Sequence, residues 1–237
     1  MTRLSVNINK IALIRNSRGG NVPDILKIAL HCEDCGAQGI TVHPRPDQRH
    51  IRHSDLDILK PSIRTEFNIE GNPSPEFMEM VCRIQPHQVT LVPDSPDALT
   101  SSSGWDTIKH REFLTSVVKQ LHRYNIRASI FTGTNLMHIE EAARIGADRV
   151  ELYTEPYATD YSLNREEAIE PFVKAAIKAQ EVGLGLNAGH DLSLVNLTYF
   201  HQNIPGLLEV SIGHALVNDA LYMGLETTIQ KYLDCLK

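Results

Sequence analysis

Eight short runs rich in β-branched and aromatic residues alternate along this chain with longer amphipathic segments, and that alternation restricts the fold more than any other feature. The runs fall at residues 5–9, 39–43, 64–70, 88–92, 127–132, 149–153, 183–187 and 209–212, each followed by polar loop residues. The helices between them have readable starts. Pro23 and Asp24 open the first, Ser54 caps the second, and Ser74, Pro75 and Glu76 give the third a cap, a first-turn proline and a first-turn acid. Amphipathic segments follow over 106–124, 136–145 and 165–182, then a shorter one over 192–202 and a last one from Asn218 onwards. Eight such alternations in 237 residues predict an α/β fold, a parallel (β/α)₈ TIM barrel rather than an open sheet. An internal echo supports the count: a Gly-Ala pair, at 36–37 and 146–147, ends the helix before the second and the sixth run.

A hydrophobic content of 42% suffices for a large core, and with no linker-like stretch the expectation is one barrel domain over residues 1–237. A net charge of -6, with basic residues scattered among acids, argues against general nucleic-acid binding, although local basic clusters leave room for small anions. No run approaches the roughly 20 apolar residues of a membrane helix, and the first residues lack a signal-peptide core, so a soluble cytoplasmic protein is expected. Cys32 and Cys35 form a C-x-x-C inside a helical pattern without a second pair. They read as structural thiols rather than metal or redox ligands.

Chemistry concentrates at the ends of the strand-like runs. After Ile40 to Val42 the chain turns into His43, Pro44, Arg45, Pro46, Asp47, Gln48, Arg49 and His50, which delivers a titratable imidazole and further basic groups into a loop stiffened by two prolines. Such a loop suits an anionic small molecule, because arginine offers a planar fork to phosphate. Glu66, Asn68 and Glu70 share one face of the third run, Glu151 sits inside the sixth, Asn7 and Asn9 lie on the first, and Asn187 ends the seventh. A carboxylate in a strand covered on both faces costs several kcal/mol unless it is paired or hydrogen-bonded. Inward placement for chemistry explains these residues; for Glu66 a structural ion pair inside the barrel, with Arg64 or Arg149, is an equal alternative. Gly189 and His190, and Gly213 and His214, follow the seventh and eighth runs, where barrels commonly hold phosphate, and Arg18 is placed to close over an anion from the loop after the first.

With these pieces side by side, the chain resembles the pyridoxine 5′-phosphate synthase family of the deoxyxylulose-dependent vitamin B6 pathway. The resemblance runs end to end and rests on residues 6–12, 15–19, 39–51, 67–70, 91–93, 186–190 and 212–215. It implies a (β/α)₈ barrel that joins 1-deoxy-D-xylulose 5-phosphate to 3-amino-2-oxopropyl phosphate and releases phosphate and water, with no metal and no organic cofactor, in a homo-octamer. By motif it implies His43 and Glu70 as proton acceptors, His190 as proton donor and Glu151 as a stabiliser of transition-state charge. Arg45, His50 and Thr100 would contact the deoxyxylulose phosphate, and Asn7, Arg18, Asp191, Gly213 and His214 the amino-ketone phosphate, with Asn9 and Lys10 at the same corner.

The chain departs from the family at three places. Asn9 and Lys10 stand where many members carry Asp-His, Asp191 replaces a common glycine after His190, and residues 154–157 lack the usual loop glycine. Lys10 also opens a second reading, an aldolase using it as a Schiff-base nucleophile. A third is a phosphosugar-binding protein without turnover.

Overall fold

The computed structural model describes residues 1–94 and 103–237. In chain order it contains β1 (Arg3–Asn7), α1 (Asn9–Asn16), α2 (Ile25–Asp34), β2 (Gly39–Val42), α3 (His53–Ser62), β3 (Glu66–Gly71), α4 (Pro75–Ile84), β4 (Gln88–Leu91) and α5 (Arg111–Arg123). The second half continues through β5 (Arg127–Thr132), α6 (Leu136–Ile145), β6 (Arg149–Leu152), α7 (Glu155–Glu181), β7 (Gly185–Gly189), α8 (Leu197–Asn203), β8 (Leu207–Ile212), α9 (His214–Met223) and α10 (Leu225–Asp234). All strands pair in parallel with their neighbours, and β8 returns to β1 with Ser211 opposite Ser5, which closes the barrel.

The echo marks a repeated solution to the helix-to-strand turn. Gly36 and Gly146 adopt φ of 98° and 93°, and the next N–H, of Ala37 or Ala147, reaches five residues back to the carbonyl of Cys32 or Ala142. Asn125 and Gly183, also at positive φ, repeat the pattern before β5 and β7. The left-handed residue satisfies the last helical carbonyls and aims the chain into the sheet.

Strand side chains alternate between two environments. The outward set, including Leu4, Val6, Ile40, Val42, Phe67, Ile69, Val89 and Ile130, is fully buried beneath the helices and forms the hydrophobic core. The inward set is polar, unlike the branched aliphatics usual inside such barrels. Bonds between non-adjacent strands prove the orientation: Thr90 on β4 reaches Glu151 Oε2 on β6 at 3.3 Å, and Arg149 on β6 lies 3.9 Å from Glu66 on β3. At the amino end Glu66 pairs with Arg3, Arg127 and Arg149, and Arg149 also faces Glu209 at 3.7 Å. Glu66 therefore belongs to a structural ion-pair layer with Arg149. Arg64 lies outside the barrel on Glu33 and Asp34.

Several expectations are corrected. Asn9 does not lie on the first strand, which ends at Asn7; it opens α1, a helix with no counterpart among the predicted segments. Ser54 lies inside α3, whose N-cap is Arg52, and the cap N–H is taken by Asp55 Oδ2 at 2.8 Å. The α7 segment begins at Glu155, ten residues before the expected start, and its backbone breaks at Asn164 (φ −154°, ψ 96°), next to the predicted boundary. The C-terminal helical segment begins at His214 and breaks at Gly224.

Candidate active site

The carboxyl ends of the strands surround a cavity of about 420 Å³ lined by Asn7, Asn9, Lys10, His43, Arg45, His50, Glu70, Glu151, His190, Asp191, Gly213 and His214, together with Thr90, Val92, Phe131, Ser211 and Ala215. Thus His43, Glu70, Glu151 and His190, which leave four different strands, converge at one rim. A neighbouring cavity of about 430 Å³ shares His43 and Arg45 but contains none of the other three. Arg18 does not line the main cavity: the two turns of α1 carry it to an exposed position beyond the rim. Thr100 lies outside the described residues.

The basic loop after β2 is held from below by α1. Arg15 is fully buried, donates from Nη1 and Nη2 to the two oxygens of Asp55 at 2.7 and 2.9 Å, and donates from Nη2 to the carbonyl of His50 at 2.9 Å. Asn16 Nδ2 also donates to the His50 carbonyl at 2.7 Å, and Asn9 Oδ1 accepts the N–H of His43 at 2.9 Å. Arg45 is buried, with Nη1 3.5 Å from Asp94 Oδ2. Burial, reinforced by the Arg45 guanidinium and by His50, pushes His43 down to about 3, so its imidazole is neutral at physiological pH. Burial likewise lowers His50 to about 4, with Arg45 and Lys10 adding to the effect against the bond to the His43 carbonyl.

Across the cavity the carboxyls move the other way. Burial drives Glu70 well above the ordinary carboxylate range, and Glu151 and Asp94 add to it, while Asn7 Nδ2 donates to Glu70 Oε2 at 3.3 Å. Glu151 rises to about 7 through burial, opposed by the Thr90 hydroxyl. His190 is raised, chiefly by Asp191, whose Oδ2 lies 2.7 Å from His190 Nδ1. The rim thus combines neutral imidazoles on one side with proton-holding groups on the other.

Two helix N-termini open on the same space. Asn9 and Lys10 begin α1, with the Asn9 N–H taken by Asn7 Oδ1 at 3.1 Å, and His214 and Ala215 begin α9, so two helix dipoles favour an anion there. Packing of the rim requires glycine at 189, where a Cβ would stand 2.2 Å from the Ser211 carbonyl oxygen. Thr90, Val92, Phe131 and Ser211 were missed from sequence. Their period-two spacing along strands carries the signal, but small or apolar side chains do not advertise chemistry.

Fold and rim together define a TIM barrel that gathers titratable and basic side chains at the end where enzymes of this fold keep their active sites. Residues 4–237 match the model of the family described as pyridoxal phosphate biosynthesis protein PdxJ, and the chain belongs to that family. It is 62% identical over 237 residues to pyridoxine 5′-phosphate synthase of Bacteroides thetaiotaomicron, covering 100% of both chains. It is 59% identical over 234 residues to the enzyme of the same name from Porphyromonas gingivalis, covering 99% of this chain and 98% of the relative. Solved structures show the same barrel at low identity. The tryptophan synthase α subunit of Legionella pneumophila has a TM-score of 0.67 at 12% identity (99% and 92% covered), and phosphoribosyl anthranilate isomerase of Thermotoga maritima 0.62 at 13% (100% and 98% covered).

Proposed function

We propose that this chain is a pyridoxine 5′-phosphate synthase that condenses 1-deoxy-D-xylulose 5-phosphate with 3-amino-2-oxopropyl phosphate through a Schiff base to pyridoxine 5′-phosphate, phosphate and water. The observation that carries the reading is the convergence of His43, Glu70, Glu151 and His190, with opposed proton affinities, on one cavity of a chain 62% identical to an enzyme of that name. Imine formation, loss of a phosphate and aromatising dehydration each move a proton at a defined atom, and groups on different sides of one cavity meet that need. Neutral His43 accepts a proton from the deoxyxylulose carbon chain. Glu70, protonated in the empty site, gives its proton to solvent as the amino group of the second substrate enters as a cation, and its carboxylate then takes one proton from that ammonium so that the free amine attacks the ketone. Glu151 balances the positive charge of the iminium, and His190 protonates the departing phosphate.

Arg45 and His50 are the groups we assign to the deoxyxylulose phosphate; Asn7, Asn9, Lys10, Gly213 and His214 are assigned to the amino-ketone phosphate. The α9 N-terminus supports that division. Lys10 is exposed, and the aldolase alternative needs a desolvated amine, so geometry favours Lys10 as a phosphate contact. The proposed organisation is one domain over residues 1–237, working in the cytoplasm as a homo-octamer. The family resemblance supports it, as do the exposed apolar Leu13, Ile14, Leu221 and Tyr222 on α1 and α9; a light-scattering mass of eight times 26.5 kDa is expected. No helix among the described residues is long and apolar enough to cross a membrane. Purified protein mixed with both phosphates should yield the pyridoxine phosphate chromophore and free phosphate in step; neither product forming would sink the reading.

A further inference from the structure

We infer that Asp191 is a positioning residue, whose carboxylate grips His190 through Nδ1 and leaves Nε2 to carry the proton delivered to the departing phosphate. The inference rests on the proposed reaction for its consequence, but its geometry stands alone. The backbone turn brings the two neighbouring side chains together. Here His190 adopts φ of 63° and its N–H donates to the Ser211 carbonyl at 3.0 Å, while the N–H of Asp191 folds back to the Gly189 carbonyl at 2.8 Å. Thr154, the N-cap of α7, fixes the turn: its hydroxyl donates to the Gly189 carbonyl and lies 3.3 Å from the Asp191 nitrogen, and Asn196 Nδ2 donates to the Asp191 carbonyl at 3.4 Å. The Asp191 N–H, which a glycine-like role would offer to phosphate, is therefore already engaged within the turn. What remains for Asp191 is its side chain, and Oδ2 lies 2.7 Å from His190 Nδ1.

A carboxylate on one nitrogen settles which tautomer the ring takes, orients it and stabilises its cation. The other charged groups facing His190 among the described residues are Glu151 from β6, which reinforces Asp191, and Lys10 from α1, which opposes it; the Tyr153 ring lies 6.4 Å away. In the elimination step the C–O bond of the amino-ketone phosphate breaks and its electron pair goes to the phosphate oxygen. The Nε2 proton joins that oxygen. The C–H proton comes from the amino-bearing carbon, beyond the ketone carbon, and goes to the basic side of the cavity, at His43 or Glu70; its electron pair is relayed through the enol to the carbon that loses the phosphate. His190 is left neutral with Nδ1–H still donated to an ionised Asp191.

The test compares Asp191→Asn and Asp191→Glu with the parent in two readouts: the titration of the His190 imidazole by NMR in the free, full-length protein, and turnover at pH 6 and pH 8. In Asp191→Asn the His190 midpoint should fall and turnover at pH 8 should drop about tenfold more than at pH 6, the scale of a lost carboxylate partner on a working imidazole. Asp191→Glu should recover part of both. An unmoved His190 titration in Asp191→Asn, or an equal loss at both pH values, overturns the inference. A parent protein that makes no product would overturn the proposed reaction instead, and the His190 titration would still decide the Asp191 contact.

Discussion

His43 enters the cavity as a base because its surroundings refuse it a second proton: burial and Arg45 hold it near 3, and its N–H bond to Asn9 fixes the strand end from which the ring projects. Glu70, the fifth residue of β3, is in the reverse condition, with other carboxyls facing it and the Asn7 amide to receive its charge. If these groups and His190 are the proton carriers, His43→Ala, Glu70→Gln and His190→Ala should each lower steady-state phosphate release at least about a hundredfold, the usual scale for general acid–base groups. Near-normal rates in all three would refute the assignment. These residues were legible in the sequence because a charged or titratable side chain interrupting an apolar run has few bland explanations. The contact of His190 with Asp191 was not, since it depends on a left-handed φ that no spacing encodes. Arg18 lies away from the cavity in this structure for a related reason, because the chain after β1 coils into a helix before reaching it.

Helix α1 shows what element-scale reading loses. Its eight residues are too few and too weakly amphipathic to stand out, and helices so short take their stability from packing. Yet α1 supplies Asn9 and Lys10 to the rim and, through Arg15 and Asn16, anchors the loop that presents Arg45 and His50. By contrast the start of α4 and both bounds of α6 follow from the sequence, since Ser74 and Asn135 cap the two helices and Gly146, in a left-handed conformation, ends the second. The Arg15–Asp55 pair should make α1 sensitive to substitution on α3. Asp55→Ala strands a fully buried guanidinium, and breaking a buried pair by removing one partner costs about 3–5 kcal/mol. Urea denaturation should report that loss. In protein that remains folded, the KM for the deoxyxylulose phosphate should rise more than the KM for the amino-ketone, because the Arg45–His50 loop loses its support; equal effects on both would separate α1 from that loop.

For the molecule as a whole, a polar barrel interior makes stability a function of pH. Glu151 and Glu209 are raised by burial to about 7 and about 6 from an ordinary 4.5, and Glu70 is raised as well, so the folded barrel holds protons that the unfolded chain releases. A raised carboxyl contributes stability that is fully present below about 4.5 and lost as pH climbs through the folded value. His43 and His50, lowered to about 3 and about 4, act oppositely: the unfolded chain binds their protons first, so their contribution grows as pH rises towards 6.5. Between pH 4.5 and 6.5 the two sets offset each other; above it only the carboxyls still change. Glu151→Gln isolates one side of this balance, because its amide oxygen can still accept from Thr90 while nothing remains to ionise. At a fixed protein concentration, the unfolding free energy of Glu151→Gln minus that of the parent should become more favourable by on the order of 2 kcal/mol between pH 5 and pH 8. A difference that stays flat across that interval would mean that Glu151 is ionised in the folded barrel throughout, and the iminium-balancing role would then begin from a charge already in place.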